Sequence, residues 1–175
     1  KHVDITEKCD KKGALHWQAP EGEWEIIALF VGKTRQMVKR AAPGGEGYVV
    51  DHLSKESIKR YLERFEKAFA QNGTPAPNNF FNDSYEVYGA DWTPDFLEQF
   101  ARLRGYRLEH YFREFLDPSR PDITCRIVSD YRETVSDLLL ENFTVQWTDW
   151  AHSMGSLTRN QAHGSPANLI DTYAA

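Results

Sequence analysis

The chain has 175 residues, 41% hydrophobic and 13% aromatic, which is enough for one domain with a substantial core. Its net charge is −5 with acids and bases interspersed, so neither a basic tract for nucleic acid nor a polybasic membrane patch is present. No apolar run reaches membrane-spanning length and no signal peptide is visible, so the expected partners include no nucleic acid and no membrane. Because the chain opens on Lys1 and not on Met, it is expected to be a processed or excised piece. Cys9 and Cys125 lack metal-type spacing and are expected to be two unpaired thiols, buried or incidental.

The N-terminal part reads as β structure. Val3-Asp4-Ile5 leads to a turn at Asp10–Gly13, then Ala14–Trp17, a Pro20-Glu21-Gly22 turn, and the run Trp24–Val31. Turn residues between short β-branched and aromatic runs predict a hairpin or meander. Trp17 and Trp24 suit either of two uses, stacking on a sugar face or packing between strands. The Pro43-Gly44-Gly45-Glu46-Gly47 stretch is a flexible break. It divides an antiparallel β segment, residues 1–42, from the remainder, residues 43–175.

After the break, Tyr48-Val49-Val50 reads as a short strand ending in Asp51-His52. Ser54 is placed to cap a helix with Ile58, Leu62, Phe65 and Phe69 on one face, closed near Gln71–Pro75. Phe80-Phe81 then starts a buried strand that turns acidic within a few residues, at Asp83 and Glu86. A helix follows, with Thr93 as N-cap, Pro94 and Asp95 in its first turn, and Gly105 as its stop. Arg107–Leu116 reads as a second short helix and Asp117–Pro121 as a loop. A long helix is predicted from about Ile123 to Ser153, its stripe formed by Ile127, Tyr131, Leu138, Phe143, Trp147 and Trp150, with Gly155 closing it. A short strand within Ser156–Ser165 and a last helix at Ala167–Tyr173 complete the chain.

Strand and helix alternate from Tyr48 onward, which predicts a parallel sheet with helices outside it. The expected fold class is α/β: part of a (β/α)8 (TIM-like) barrel preceded by an antiparallel β segment. Each strand ends in polar groups, namely Asp51-His52, Asp83 with Glu86, and Asn160-Gln161 with His163, and in a barrel such ends converge on one face. Carboxylates there suit glycoside hydrolysis, in which one acid protonates the leaving oxygen and a second carboxylate acts as base or nucleophile. Tyr85, Tyr88 and Trp92 are expected to desolvate Glu86, as a general acid requires. Asp51 also reads as a loop brace or helix cap, His163 as a structural histidine, and the same oxygens as calcium ligands. No phosphate-binding glycine loop, zinc spacing or Gly-x-Ser-x-Gly elbow occurs.

Several stretches carry a resemblance in the right order. They are Gly13–Trp24, Gly47–Ser54, Asn82-Asp83-Ser84-Tyr85-Glu86 with Trp92-Thr93, Arg104-Gly105-Tyr106, and Arg159-Asn160-Gln161-Ala162-His163-Gly164. Through them the chain resembles the α-L-rhamnosidases of glycoside hydrolase family 106 over nearly its whole length. The resemblance implies a large multidomain enzyme with a (β/α)8 catalytic barrel and β-sandwich modules. It implies cleavage of terminal α-L-rhamnosyl groups of plant or complex polysaccharides with inversion, calcium in substrate binding, and a periplasmic or secreted bacterial protein. Glu86 falls where the general acid would lie. Asp51, Asp83, Trp92, Asn160, Gln161 and His163 become candidates for binding a carbohydrate substrate. No metal ligands are assigned. The second catalytic carboxylate is expected beyond Ala175, in the remainder of the parent polypeptide.

Two other readings compete: a non-catalytic carbohydrate-binding or structural module, and a different two-carboxylate barrel glycosidase. Carboxyl separations of roughly 6.5–9.5 Å for inverting and about 5–5.5 Å for retaining enzymes would separate the chemistries. On the hydrolase reading the 175-residue piece alone is expected to turn over no aryl α-L-rhamnoside at a useful rate, since each missing proton-transfer partner costs about 10²–10⁴-fold. An assay of the isolated piece that matched the parent's turnover would refute this.

Overall fold

The computed structural model describes residues 2–117 and 119–175. Lys1 and Pro118, the latter in the loop read between Asp117 and Pro121, lie outside the described residues. Six α-helices and one two-stranded sheet are described: α1 (Lys55–Asn72), β1 (Asn79–Asn82), α2 (Phe96–Arg104), α3 (Phe112–Leu116), α4 (Pro121–Leu139), α5 (Gln146–Ser153), β2 (Leu157–Asn160) and α6 (Leu169–Ala174).

β1 and β2 pair in parallel, with Asn79 opposite Leu157, Phe80 opposite Thr158, Phe81 opposite Arg159 and Asn82 opposite Asn160. The ladder continues past both strands, through Leu157 N–H to the Asn78 carbonyl (2.9 Å) and Gln161 N–H to the Asn82 carbonyl (3.0 Å). The two faces of this pair differ. Phe80 lies against Phe69 of α1 and Trp150 of α5, with ring centroids 6.1 and 4.7 Å away. Phe81 and Leu157 are exposed on the other face, where the Arg159 guanidinium sits 5.4 Å from the Phe81 ring centroid. Strand–helix alternation therefore yields the expected parallel pairing, here between two strands.

The helix signals hold with local exceptions. Ser54 caps α1, its hydroxyl accepting from Ser57 N–H, and Gly73 ends it in the left-handed conformation at φ 59°. The stripe is used as read: Ile58 and Leu62 are buried against Trp147, and Phe65 meets Tyr61 and Trp150. Thr93 departs from its expected role. The helix begins three residues later, and the Thr93 hydroxyl donates to Asp51 Oδ2 at 2.9 Å instead of accepting from the N–H groups of its own helix end. Thr93 is 1% exposed, and a buried hydroxyl needs a partner more than a helix end open to solvent does. The region read as one short helix is a 3-10 turn, Leu108–Tyr111, followed by α3. The predicted long helix is continuous in path but changes pitch, since Leu140–Val145 between α4 and α5 form a π-helical segment. Such segments are rare and frequent at functional sites.

The main core gathers Leu53, Phe96, Phe100, Leu108, Ile127, Val135, Leu138 and Leu139. Phe143, in the π segment, packs against both this core and the smaller cluster around Trp147. Arg104, 11% exposed at the end of α2, fastens that helix to α4 through Glu133 (2.8 Å), Asp137 and the Thr134 hydroxyl (3.1 Å). The Tyr106 hydroxyl donates to Asp130 at 2.7 Å, so Arg104-Gly105-Tyr106 acts as a clamp between helices.

The antiparallel segment expected over residues 1–42 is represented by isolated pairings alone among the described residues. Cys9 bridges Leu15 and Met37 bridges Tyr48, both antiparallel, and Tyr48–Val50 is not a regular strand. The turn at Asp10 does form, with its carboxylate accepting from Lys12 and Ala14 N–H groups. Trp17 and Trp24 meet edge to face at 5.3 Å across the Pro20–Gly22 turn, so each packs on the other. The run from Ile26 to Val31 has the composition of a strand but no neighbour to pair with among the described residues, and a strand needs a second backbone to satisfy its polar groups. It covers one side of a cavity of about 260 Å³ whose other walls include Trp92, Leu108, Phe115 and Tyr131. Both cysteines are free and exposed, so they are unpaired as expected but not buried.

Phe100 is fully buried, so Phe100→Ala is expected to cost about 3–5 kcal/mol of stability. Phe81 is 57% exposed, so Phe81→Ser is expected to cost less than about 1 kcal/mol. Urea unfolding of the two variants checks the contrast, and comparable losses would contradict this placement of the core.

Candidate active site

The carboxyl ends of β1 and β2 lie side by side because the strands are parallel and in register. Asn82 and Asn160 close them, with Asn82 Nδ2 donating to Asn160 Oδ1 at 2.8 Å. The segment Asp83–Glu86 leaves β1 and Gln161–Gly164 leaves β2. The two segments stay together: the Cβ of an alanine at Gly164, where φ is 83°, would lie 3.8 Å from the Tyr85 carbonyl oxygen. The Asp-Ser-Tyr-Glu and Gln-Ala-His-Gly pieces, 75 residues apart in sequence, thus meet at one end of the sheet.

The candidate residues differ in how they are held. Asp51 has both oxygens engaged, Oδ1 accepting from Leu53 N–H (3.0 Å) and Oδ2 from the Thr93 hydroxyl (2.9 Å), which is the arrangement of a loop brace. Trp92 stacks on Phe96 at 4.6 Å, partly buried beside the main core. Asp83 is exposed, and its Oδ1 accepts from Ser84 N–H at 2.8 Å. Gln161 and His163 are exposed, and Asn160 is half-buried.

Glu86 is held from the N-terminal side of the chain. Its Oε2 lies 3.1 Å from the Lys39 ammonium, and its carboxylate side chain is 41% exposed. The Gln36 side-chain amide donates to the Glu86 carbonyl and accepts from Tyr88 N–H at 2.9 Å. The aromatic jacket expected around Glu86 is arranged otherwise. Tyr88 is 68% exposed, Trp92 points into the core, and Tyr85 turns toward His52. Aromatic side chains pack where the most apolar area can be covered, and the helical core offers more of it than the loop does.

His52, read from the sequence as a polar residue at a strand end beside Asp51 but given no site role, has one in the structure. Its ring meets Tyr85 edge to face at 5.2 Å and Phe143 at 4.8 Å, so it joins the Glu86 loop to the π segment. Nδ1 is buried and finds no hydrogen-bond partner among the described residues. Burial holds its pKa below the ordinary histidine value, against the opposing pull of the Val50 carbonyl and the Asp51 charge. Burial likewise pushes the Tyr85 hydroxyl up to about 12, and the Asp51 carboxylate adds to the effect. Asn142 of the π segment donates to the Leu53 carbonyl at 2.7 Å, a second tie from the same segment to the loop of Asp51 and His52. Neither tie leaves a local sequence signal, because each joins residues about 90 positions apart.

No group of three His, Cys, Asp or Glu side chains suited to a metal ion occurs among the described residues. Among the acidic oxygens at the strand ends, both of Asp51 and one each of Asp83 and Glu86 have partners, namely Leu53 N–H, the Thr93 hydroxyl, Ser84 N–H and Lys39. No residue of this set is assigned to the calcium that the resemblance implied.

A family model for the α-L-rhamnosidases of glycoside hydrolase family 106 matches residues 1–172. A Formosa agariphila protein under the provisional name beta-glucuronidase is 33% identical over 160 residues, covering 87% of this chain and 14% of that protein. The structure of a rhamnosidase from Novosphingobium sp. PP1Y superposes with a TM-score of 0.69 at 27% identity, over 91% of this chain and 16% of that one. The chain thus spans about one seventh of the length of these relatives. It belongs to the glycoside hydrolase family 106, the α-L-rhamnosidase family.

The depressed pKa of His52 has a consequence for stability. Above pH of about 6.5, the ordinary histidine value, folded and unfolded states both hold a neutral ring and the residue contributes no pH dependence. Below it the unfolded state takes up a proton that the folded state resists, so stability falls with pH until the folded value is passed. Unfolding free energy is expected to drop between pH 7 and 5 in the natural protein and to change less in His52→Phe. Equal drops in both would show that His52 is not the group responsible.

Proposed function

We propose that this chain carries the general acid of an α-L-rhamnosidase and that Glu86 is that acid. The observation that carries the reading is the meeting of the Asp83–Glu86 and Gln161–Gly164 segments at the carboxyl end of the β1–β2 pair. Active sites of β/α proteins lie at that end of the strands. Membership of the family supports the substrate class, a terminal α-L-rhamnosyl group, and inversion.

In this reading Glu86 delivers its proton to the glycosidic oxygen as the bond to the anomeric carbon breaks, and the leaving group departs as a neutral alcohol. A water activated by a second carboxylate attacks from the opposite face and inverts the centre. Oε2 of Glu86 faces Lys39, while Oε1 has no hydrogen bond among the described residues, so Oε1 is the oxygen placed to serve the leaving group. Asp83, Asn160, Gln161 and His163 surround the same end of the sheet and supply polar groups for sugar hydroxyls. Asp51 and Trp92 act at one remove, Asp51 by fixing the loop before α1 and Trp92 by anchoring the start of α2 to the core. The base is assigned to no residue of this chain, because Asp51 is fully engaged and Asp83 shares its strand end with Glu86. No step runs through a metal.

The exposed face of the sheet fits the same reading. Phe81 and Leu157 point away from α1 and α5, and in a (β/α)8 barrel that face is the interior, filled by side chains of the other strands. The partial barrel is therefore part of the proposal.

The name of the 33% identical relative favours a second reading, hydrolysis of a glucuronide. A uronate substrate brings its own carboxylate, and Lys39 and Arg159 are cations near the same end of the sheet. Aryl α-L-rhamnoside and aryl β-glucuronide, assayed side by side, separate the two.

The acid role is tested in the full polypeptide with Glu86→Gln. Turnover of rhamnosides with poor leaving groups is expected to fall by about 10²–10⁴-fold, while activated aryl rhamnosides are largely spared because their leaving groups need less protonation. Equal losses on both substrates, or none on either, would remove Glu86 from the acid role.

A further inference from the structure

The stretch from Gln36 to Lys39 lies about 50 residues before Glu86, yet it supplies the described side-chain contacts to the Glu86–Tyr88 loop. Gln36 makes two of them with one side-chain amide, donating to the Glu86 carbonyl and accepting from Tyr88 N–H at 2.9 Å. Lys39 makes the third, 3.1 Å from Glu86 Oε2. The stretch is itself held in place. Val49 N–H donates to the Gln36 carbonyl at 3.0 Å, Val38 N–H to the Gly47 carbonyl at 2.8 Å, and Met37 bridges Tyr48.

The backbone on both sides of the stretch is unusual. Arg35 and Arg40 have φ values of 55° and 54°, and among the described residues they alone adopt positive φ without being glycine. Side chains with a Cβ disfavour this region, and such residues persist where surrounding structure fixes them, often at functional sites. The two left-handed residues turn the chain into and out of the segment that faces Glu86. The amide of Gln36 is suited to the task. One group carries both a donor and an acceptor in a fixed plane, so it can hold a carbonyl and an N–H two residues apart.

We infer that Gln36 is a positioning residue for Glu86, fixing the backbone from Glu86 to Tyr88 so that the carboxyl group meets the glycosidic oxygen in one orientation. The inference rests on the reading of Glu86 as the catalytic acid. Gln36 touches no substrate in it and acts through the loop, and Lys39 steadies the carboxylate end of the same side chain. Misplacement of a reacting group by about 1 Å can cost on the order of 10²-fold in rate, so a lost bracket is read in turnover more than in binding.

The test uses the full polypeptide and two variants, Gln36→Ala and Gln36→Glu. The first removes both hydrogen bonds. The second keeps an acceptor for Tyr88 N–H and loses the donor to the Glu86 carbonyl. Hydrogen exchange at Tyr88 is expected to speed up in Gln36→Ala and to stay near the natural rate in Gln36→Glu. On a glycoside with a poor leaving group that the enzyme turns over, kcat of Gln36→Ala is expected to fall about 10–100-fold with KM within about twofold, and Gln36→Glu is expected to fall between. Melting temperature is expected to stay within about 5 °C of the natural protein. Unchanged exchange at Tyr88 in Gln36→Ala overturns the bracket, as does an unchanged kcat in an enzyme that Glu86→Gln disables. A lost kcat that only follows a large drop in melting temperature overturns it too, since that is the mark of a stability role. Should Glu86→Gln retain full turnover, the acid reading and the positioning role both fall, and exchange at Tyr88 then reports only whether the hydrogen bonds form.

Discussion

The edge-to-face contacts Phe143–His52–Tyr85 join the helical layer to the loop that carries Glu86. Phe143 belongs to the π segment and packs against both hydrophobic clusters, so its position is fixed from both sides. His52 passes that position on to Tyr85. An ordinary α-helix through residues 140–145 would rotate Phe143 and Asn142 relative to α4, and with them the two ties to the loop of Asp51 and His52. The extra residue per turn is costly for helical hydrogen bonding, and here it accompanies the link between core and strand ends. A buried ring nitrogen without a hydrogen-bond partner among the described residues is a further cost of the same arrangement, and it is accepted at the point where core meets site.

A second constraint is the incompleteness of short β elements. Each strand is four residues long, and one face of the pair is bare. Isolated pairs of this size are not stable alone, and this one stands because Phe80 is pressed into α1 and α5 while Ser156 ties its start to the Pro77 carbonyl at 2.6 Å. The run Ile26–Val31 faces helical residues across a cavity and has no strand partner among the described residues. Ile26–Val31 therefore forms no regular strand and keeps its apolar side chains largely exposed.

That difference explains which parts of the fold were legible in the sequence. Signals that act within one helix survived. Ser54 capped α1, Gly73 and Gly105 stopped their helices, and the spacing of Ile58, Leu62 and Phe65 gave the buried face. Signals that need a remote partner did not survive unaided. Thr93 reads as a cap from its neighbours, but its hydroxyl answers Asp51, 42 residues away. The π segment was invisible because apolar spacing continues through it from Leu138 to Trp147. At the candidate site, the acidic strand end was legible from Asp83 and Glu86, whereas Gln36 and His52 were not, since nothing local distinguishes a positioning glutamine from a solvated one.

Asp51 and Glu86 show how partners separate carboxylates that look alike in sequence. Both follow a short apolar run, and both lie in stretches that the family resemblance singles out. Asp51 presents two oxygens to a backbone N–H and a buried hydroxyl, so a reacting group would have to displace a bond that the loop before α1 needs. Glu86 is fixed through its backbone by Gln36 and through one oxygen by Lys39, which leaves the other oxygen open. Chemistry asks for a group that is held in place and still has an unfilled valence for the substrate. Held by both oxygens, a carboxylate braces; held by its backbone and one oxygen, it is oriented and remains available. The difference between the two lies in where the hydrogen bonds attach, which no residue count or spacing records.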